Sequence, residues 1–231
     1  MELIQRLTND SNESILALES KSLKLDRFSR VIDSSFSGRN QIGDFSCVNR
    51  SEFGSGSHVG VGSYVADATL GKYVMVGSRV SIGGFQHPTD WLSMAAFQWG
   101  QSIAHYNLDH NTVNRLTQKL SKPESRRTII GNDVWIGDNS IIKAGIKIMH
   151  GAVVGAGSVV TKNVGPYEIH VGNPARLLKL RFTKELIDDL LETKWWEFEL
   201  SELSELDFSD IRACVRTLKE KRKEANKCRN K

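Results

Sequence analysis

The chain has 231 residues, of which 39% are hydrophobic and 25% charged, with a formal net charge of +4. These proportions exclude a disordered polyelectrolyte and a low-complexity or collagen-like chain, and they fit one elongated domain with a small appendage. Cys47, Cys214 and Cys228 are odd in number and unpatterned, which argues against a disulfide framework and against a zinc site.

The opening stretch, MELIQRLTNDSNES, has no cationic start followed by an apolar run, and no later segment approaches transmembrane length. A cytoplasmic protein without a membrane span is expected. Residues 1–30 are weakly patterned and read as an N-terminal extension, in which Asn12 or Ser14 would cap a short helix over 15–18.

From Phe36 a six-residue register takes over: Phe36, Ile42, Val48, then a one-residue slip to Phe53, Val59, Val65, and a second slip to Leu70, Val76, Ile82. It returns in its cleanest form as Ile130, Ile136, Ile142, Ile148, Val154 and Val160. Four places after each of these stands a small or β-branched residue: Val134, Ser140, Ile146, Ala152, Ser158, Val164. A helix repeats every 3.6 residues and a plain strand every 2, so a period of six is neither. It predicts short strands with a bend after each, three to a coil of about eighteen residues, stacked as a parallel β-helix. Gly131, Asn132, Asp138, Asn139, Gly145, Gly151, Gly157 and Asn163 would supply corners that tolerate positive φ.

The stretch from Phe85 to Arg127 has no register and is too long for a turn. Trp91, Phe97, Trp99 and Tyr106 argue against plain disorder there, so a protruding, partly ordered excursion is expected, with a polar segment near 116–126. The β-helix would occupy 31–177, and a helical segment would follow over 178–231. Gly172-Asn173-Pro174 re-aims the chain at the junction. Thr183 would cap a helix carrying Leu186, Ile187, Leu190 and Leu191, and Ser209 a last helix with Ile211, Val215 and Leu218 on one face. Helices here would cover the exposed end of the solenoid. The basic tail after Lys219 reads as a solvated helix end rather than a nucleic-acid surface, because no aromatic residue is interleaved to stack bases.

Three runs carry a resemblance: Ile129-Ile130-Gly131-Asn132-Asp133-Val134-Trp135-Ile136-Gly137, Val154-Gly155-Ala156-Gly157-Ser158-Val159-Val160-Thr161-Lys162, and Gly172-Asn173-Pro174-Ala175-Arg176. Together they resemble the hexapeptide-repeat acyltransferases. Lys194-Trp195-Trp196, about twenty residues beyond Gly-Asn-Pro-Ala, narrows the likeness to the xenobiotic branch, with its type B chloramphenicol and streptogramin acetyltransferases and related sugar O-acetyltransferases. The likeness covers about 36–197. It implies a mainly β, left-handed parallel β-helix, against the usual right-handed rule for parallel crossovers. It also implies a homotrimer with sites between neighbouring subunits, and acetyl-CoA as donor with no metal.

The residue matching the family's histidine at the base of the long loop is His87, in Ile82-Gly83-Gly84-Phe85-Gln86-His87-Pro88. A neutral imidazole suits removal of a hydroxyl proton near working pH, and Pro88 biases His87 to an extended backbone. Asp90 would orient it. Lys162 and Arg176 match positions that meet the phosphates of CoA; Ala156 and Thr161 match positions lining its groove. Trp135 matches a tryptophan near the thiol, with packing at a coil corner or trimer seam as the alternative. Asp90, Trp91 and Trp99, with Phe97, would meet the acceptor or else pack against a neighbouring subunit. His105 and His110 would at most touch substrate, while His58, His150 and His170 read as surface residues near corners, too scattered for a metal set. The expected activity is acetyl transfer to a hydroxyl of a sugar or saccharide. The alternatives are O-acetylation of a chloramphenicol- or streptogramin-like drug, N-acetylation of an amino sugar, and a non-catalytic β-helix.

Overall fold

The structure, a computed structural model, describes residues 23–84, 86–95, 107–117 and 126–229, of which 116–117 and 225–229 are described by their backbone. The helix expected over 15–18 lies outside the described residues, as do Phe97, Trp99, His105 and Tyr106.

The six-residue register becomes a three-sided parallel coil. The first face stacks Leu23–Leu25, Asn40–Ile42, His58–Val59, Met75–Val76, Trp135–Ile136, Val153–Val154 and Glu168–Gly172. The second stacks Arg30–Ile32, Cys47–Asn49, Tyr64–Ala66, Ser81–Gly83, Ile141–Ile142 and Val159–Val160. The third stacks Ser35–Phe36, Glu52–Phe53, Ala68–Leu70, Thr128–Ile130 and Lys147–Ile148. The coil begins ahead of Phe36: Leu23–Leu25 already pairs with Asn40–Ile42. Short two- and three-residue strands carry too little alternation to show a period until several are aligned.

The two slips have a structural meaning. Before the excursion, partners on successive coils stand 17 residues apart, as in Phe36 with Phe53 and Ile42 with Val59. After it they stand 18 apart, as in Ile136 with Val154 and Ile142 with Val160. The missing residue falls at the corner between the second and third faces, where a single left-handed residue makes the bend: Asp33, Arg50 and Asp67, with φ of 46°, 46° and 51°.

Each rung aliphatic points inward; Ile42, Val59, Val65, Ile82, Ile136, Ile148 and Val154 are fully buried. Burial of each is worth roughly 1.5–3 kcal/mol before entropy. The positions four residues on are buried as well, and serines there are satisfied by the backbone of neighbouring turns. Ser63 Oγ donates to the Gly77 carbonyl at 2.9 Å and accepts from the Val80 N–H at 3.1 Å.

The corners differ in detail from the expectation. Left-handed φ is found at Asp133, Asn139, Gly145, Gly151 and Gly157, but not at Gly131, Asn132, Asp138 or Asn163. At Gly131 the constraint is space: a Cβ would stand 2.6 Å from the backbone nitrogen of His150 in the next coil. Asn132 and Asp138 act through their side chains, accepting from the N–H groups of Lys72 and Ser78.

After the last coil the chain doubles back at Gly172 as the antiparallel strand Ala175–Leu180, which closes the rim of the first face. Helix α1, His110–Thr117, belongs to the excursion. Helix α2, Lys184–Thr193, is capped by Thr183 as expected. A short helix α3, Leu200–Leu203, leads to α4, Ile211–Arg229. The cap of α4 is Asp210 rather than Ser209: its carboxylate accepts from the Ala213 N–H, while Ser209 bonds Asp207. Helices α2 and α4 pack through Ile187, Leu190 and Val215. They pack on Tyr167 of the last coil, and the segment that joins them runs along the corner between the third and first faces. There Trp195 stacks on Tyr73, Trp196 stacks on His150, and Arg181 bonds Asp133 and the Gly151 carbonyl. Among the described residues no helix is long and apolar enough to cross a membrane.

Candidate active site

The excursion leaves the coil at the corner between the second and third faces. Gly83 and Gly84 both adopt left-handed backbone, with φ of 70° and 85°. Glycine is required at 83, where a Cβ would stand 2.1 Å from the Ala66 carbonyl oxygen. The Gly84 N–H donates to that same oxygen at 3.2 Å, and on return the Thr128 N–H donates to the Asp67 carbonyl at 2.9 Å. The exit and the return therefore rest on consecutive residues.

His87 is exposed, three residues beyond this anchor. Its Nδ1 lies 2.5 Å from the carbonyl oxygen of Met94. A carbonyl only accepts, so Nδ1 carries a proton, and in the neutral form of the ring the lone pair is then on Nε2, the nitrogen a general base would use. The Met94 carbonyl is one partner of the ring; Asp90, expected to orient it, is an exposed residue of the same bend. Sequence reading misses such a partner because a backbone carbonyl leaves no residue-type signal. Trp91 is half-buried, and Trp99 lies outside the described residues.

Four of the five candidate cofactor residues flank one face. Ile82, Ile142 and Val160 are stacked partners, so Gly83, Lys143 and Thr161 follow one another down the corner from which His87 departs. At roughly 4.8 Å per coil, Thr161 and Lys162 lie about 10 Å below that root. Both are exposed, as is Lys143, an intervening cation that the family motifs did not single out. Ala156 and Arg176, also exposed, stand at the opposite edge of the second face, where the Gly172 N–H bonds Ser158 Oγ and Val171 pairs with Arg176.

Trp135 is elsewhere. It sits on the first face between Met75 and Val153, with 56% of its surface exposed. In a three-sided coil the first face is opposite the corner between the other two. One chain therefore does not bring Trp135 to its own His87. Among the described residues no group of three His, Cys, Asp or Glu side chains could hold a metal ion.

His150 departs from its expected surface role. It is half-buried against Trp196, and its Nδ1 accepts from the Asn132 N–H at 2.9 Å. Burial, with Lys194 nearby, pushes its imidazole below the ordinary value of 6.5. Neighbouring Asp133 is pushed up by burial, against the opposing pull of Arg181. These groups secure the helical segment and stand apart from His87.

Residues 127–162 match the family model described as bacterial transferase hexapeptide (six repeats). A probable macrolide acetyltransferase from Lysinibacillus sphaericus is 49% identical over 136 residues, covering 58% of this chain and 71% of that protein. A chloramphenicol acetyltransferase from Klebsiella aerogenes is 39% identical over 137 residues, covering 58% and 61%. The chain thus spans about three fifths of the length of the chloramphenicol acetyltransferases it matches. Among solved structures, a variant of an N-acyltransferase from Bacillus cereus, crystallised with dTDP and coenzyme A, superposes with a TM-score of 0.50 at 21% identity, covering 79% and 96% of the two chains. That last likeness is one of fold.

Proposed function

The chain belongs to the hexapeptide-repeat acetyltransferases, left-handed β-helix proteins, and from that premise we propose that it moves an acetyl group from acetyl-CoA to a hydroxyl of a small acceptor, with His87 as general base. The observation that supports the reading is the His87–Met94 contact near the root of the excursion, which in the neutral ring assigns the lone pair to Nε2. As the acceptor oxygen attacks the thioester carbonyl, Nε2 takes the hydroxyl proton. Collapse of the tetrahedral intermediate expels the CoA thiolate, which recovers that proton from the imidazolium. A backbone N–H of the excursion or an adjoining rung meets the developing oxyanion.

In this reading the donor runs along the second face. Lys162 and Arg176 are cations at its two edges, suited to pyrophosphate and 3′-phosphate, and Ala156 and Thr161 leave room for the pantetheine arm. Trp135 reaches the thiol end of the donor from a second copy of the chain, because its own His87 lies across the coil. That requirement favours a homotrimer with sites at the seams. Asp90 and Trp91 meet the acceptor, the role the sequence also gives to Trp99, which lies outside the described residues. The protein works in the cytoplasm.

The composition of the excursion suits a saccharide, but the relatives favour a second acceptor class. The 49% identity to a probable macrolide acetyltransferase, and the 39% to a chloramphenicol acetyltransferase, exceed the 27% to a galactoside O-acetyltransferase from Escherichia coli. A panel of chloramphenicol, a streptogramin, a macrolide, simple sugars and nucleotide sugars, with acetyl-CoA and coupled thiol detection, decides the matter. Thiol release with none of them, and no CoA binding by calorimetry, would leave a non-catalytic β-helix.

A further inference from the structure

The root of the excursion is tied to the coil more heavily than a loop junction requires. Three consecutive carbonyls do the tying: Ala66 accepts from Gly84 N–H at the exit, Asp67 from Thr128 N–H at the return, and Ala68 from Arg127 NH2 at 3.2 Å. The middle residue, Asp67, is left-handed without being glycine, and its carboxylate is gripped by Arg50 through two bonds of 2.7 Å. Arg127 closes the ring. Its NH1 donates to the Arg50 carbonyl at 3.2 Å, its Nε to Thr69 Oγ1 at 2.6 Å, and its NH2 pairs with Glu52 at 2.8 Å. One guanidinium thus spans two coils and joins the loop's return to the turn that holds its exit. Only a planar fork of several donors can do this; a lysine ammonium would serve as a single point charge.

From this network we infer that Arg127, acting with the Arg50–Asp67 pair, is a positioning residue for His87. The inference rests on His87 being the general base. His87 is three residues from Gly84, whose N–H is anchored on the Ala66 carbonyl, and the backbone conformation at Asp67 sets where that carbonyl points. Releasing Arg127 frees the turn to relax, and the imidazole moves with the exit strand. Arg127 itself touches neither His87 nor the residues assigned to the coenzyme.

The test compares Arg127→Ala and Arg127→Lys with wild type and His87→Gln. Two readouts are used: the rate at which diethyl pyrocarbonate modifies His87, followed by mass spectrometry, and turnover with the acceptor that wild type accepts. Both Arg127 variants should bind CoA with wild-type affinity, alter the modification rate at His87, and lose about 10- to 100-fold in kcat, the scale of a misplacement near 1 Å. Arg127→Lys should fail to restore the rate, whereas a role through charge alone would be rescued by it. A wild-type modification rate at His87 in Arg127→Ala overturns the inference, and so does wild-type turnover in Arg127→Lys. Should Arg127→Ala fail to fold, Arg127→Lys carries the same two outcomes. Full turnover in His87→Gln would instead bring down the base assignment, whatever the modification rates show.

Discussion

The imidazole of His150 stacks on the indole of Trp196, with ring centroids 4.6 Å apart and planes at 21°. Its Nδ1 meanwhile accepts from the backbone of Asn132, so the neutral ring joins one coil to the helical segment. Protonation would remove that acceptor and place a charge near Lys194. Because burial lowers its pKa from 6.5, the unfolded chain takes up this proton first as pH falls. Stability contributed by the neutral ring is therefore fully present above about pH 6.5 and is lost on acidification below it. Thermal unfolding of wild type and His150→Gln from neutral pH to about pH 5 should show a steeper decline for wild type. Parallel curves would sink this account.

His87→Gln should lower kcat by about 10² to 10⁴ while leaving CoA affinity intact, since a glutamine holds the volume and the bond to Met94 but cannot take a proton. Calorimetry with CoA alongside thiol release makes the comparison. Near-wild-type turnover in a folded variant rules His87 out as the base.

The solenoid was legible because every inward rung repeats the same residue class at the same spacing. Ile130 through Val160 needed no long-range information to be seen. His87 is a candidate only through motif context, since a lone loop histidine has no periodicity to single it out. What escaped was whatever depends on the next coil. Gly131 is small to make room for His150, Arg50 and Arg127 meet across 77 residues of sequence, and Met94 contributes only a carbonyl. The same holds for the corner along which the helices dock. Tyr73, Asp133 and His150 share it only after the coil has closed.

Ser63→Ala should destabilise the protein by about 1–3 kcal/mol, although it removes one oxygen from a core of aliphatic residues. The hydroxyl donates to the half-buried Gly77 carbonyl and accepts from the buried Val80 N–H, and alanine removes both bonds. Denaturant titration should show a lower midpoint at unchanged slope, with activity retained below the transition. An unchanged midpoint would mean that the serine column contributes no net stability.

The placement of Trp135 across the coil from His87 makes a prediction about mixtures. If each site takes its imidazole from one chain and its indole from the next, His87→Ala and Trp135→Ala are defects of different subunits in the same site. Each homotrimer is then deficient at every seam. In a trimer assembled at random from both variants, a seam is intact when a chain with His87 meets a neighbour with Trp135. That happens in about one quarter of seams at equal expression, by the head-to-tail geometry of a closed ring. Co-expression should therefore recover roughly a quarter of wild-type activity, while mixing the purified homotrimers without unfolding should recover none. Absence of recovery after co-expression, with mixed trimers verified by mass spectrometry, would place both groups in one subunit's site or remove Trp135 from the chemistry. Activity in the Trp135→Ala homotrimer alone would remove it directly.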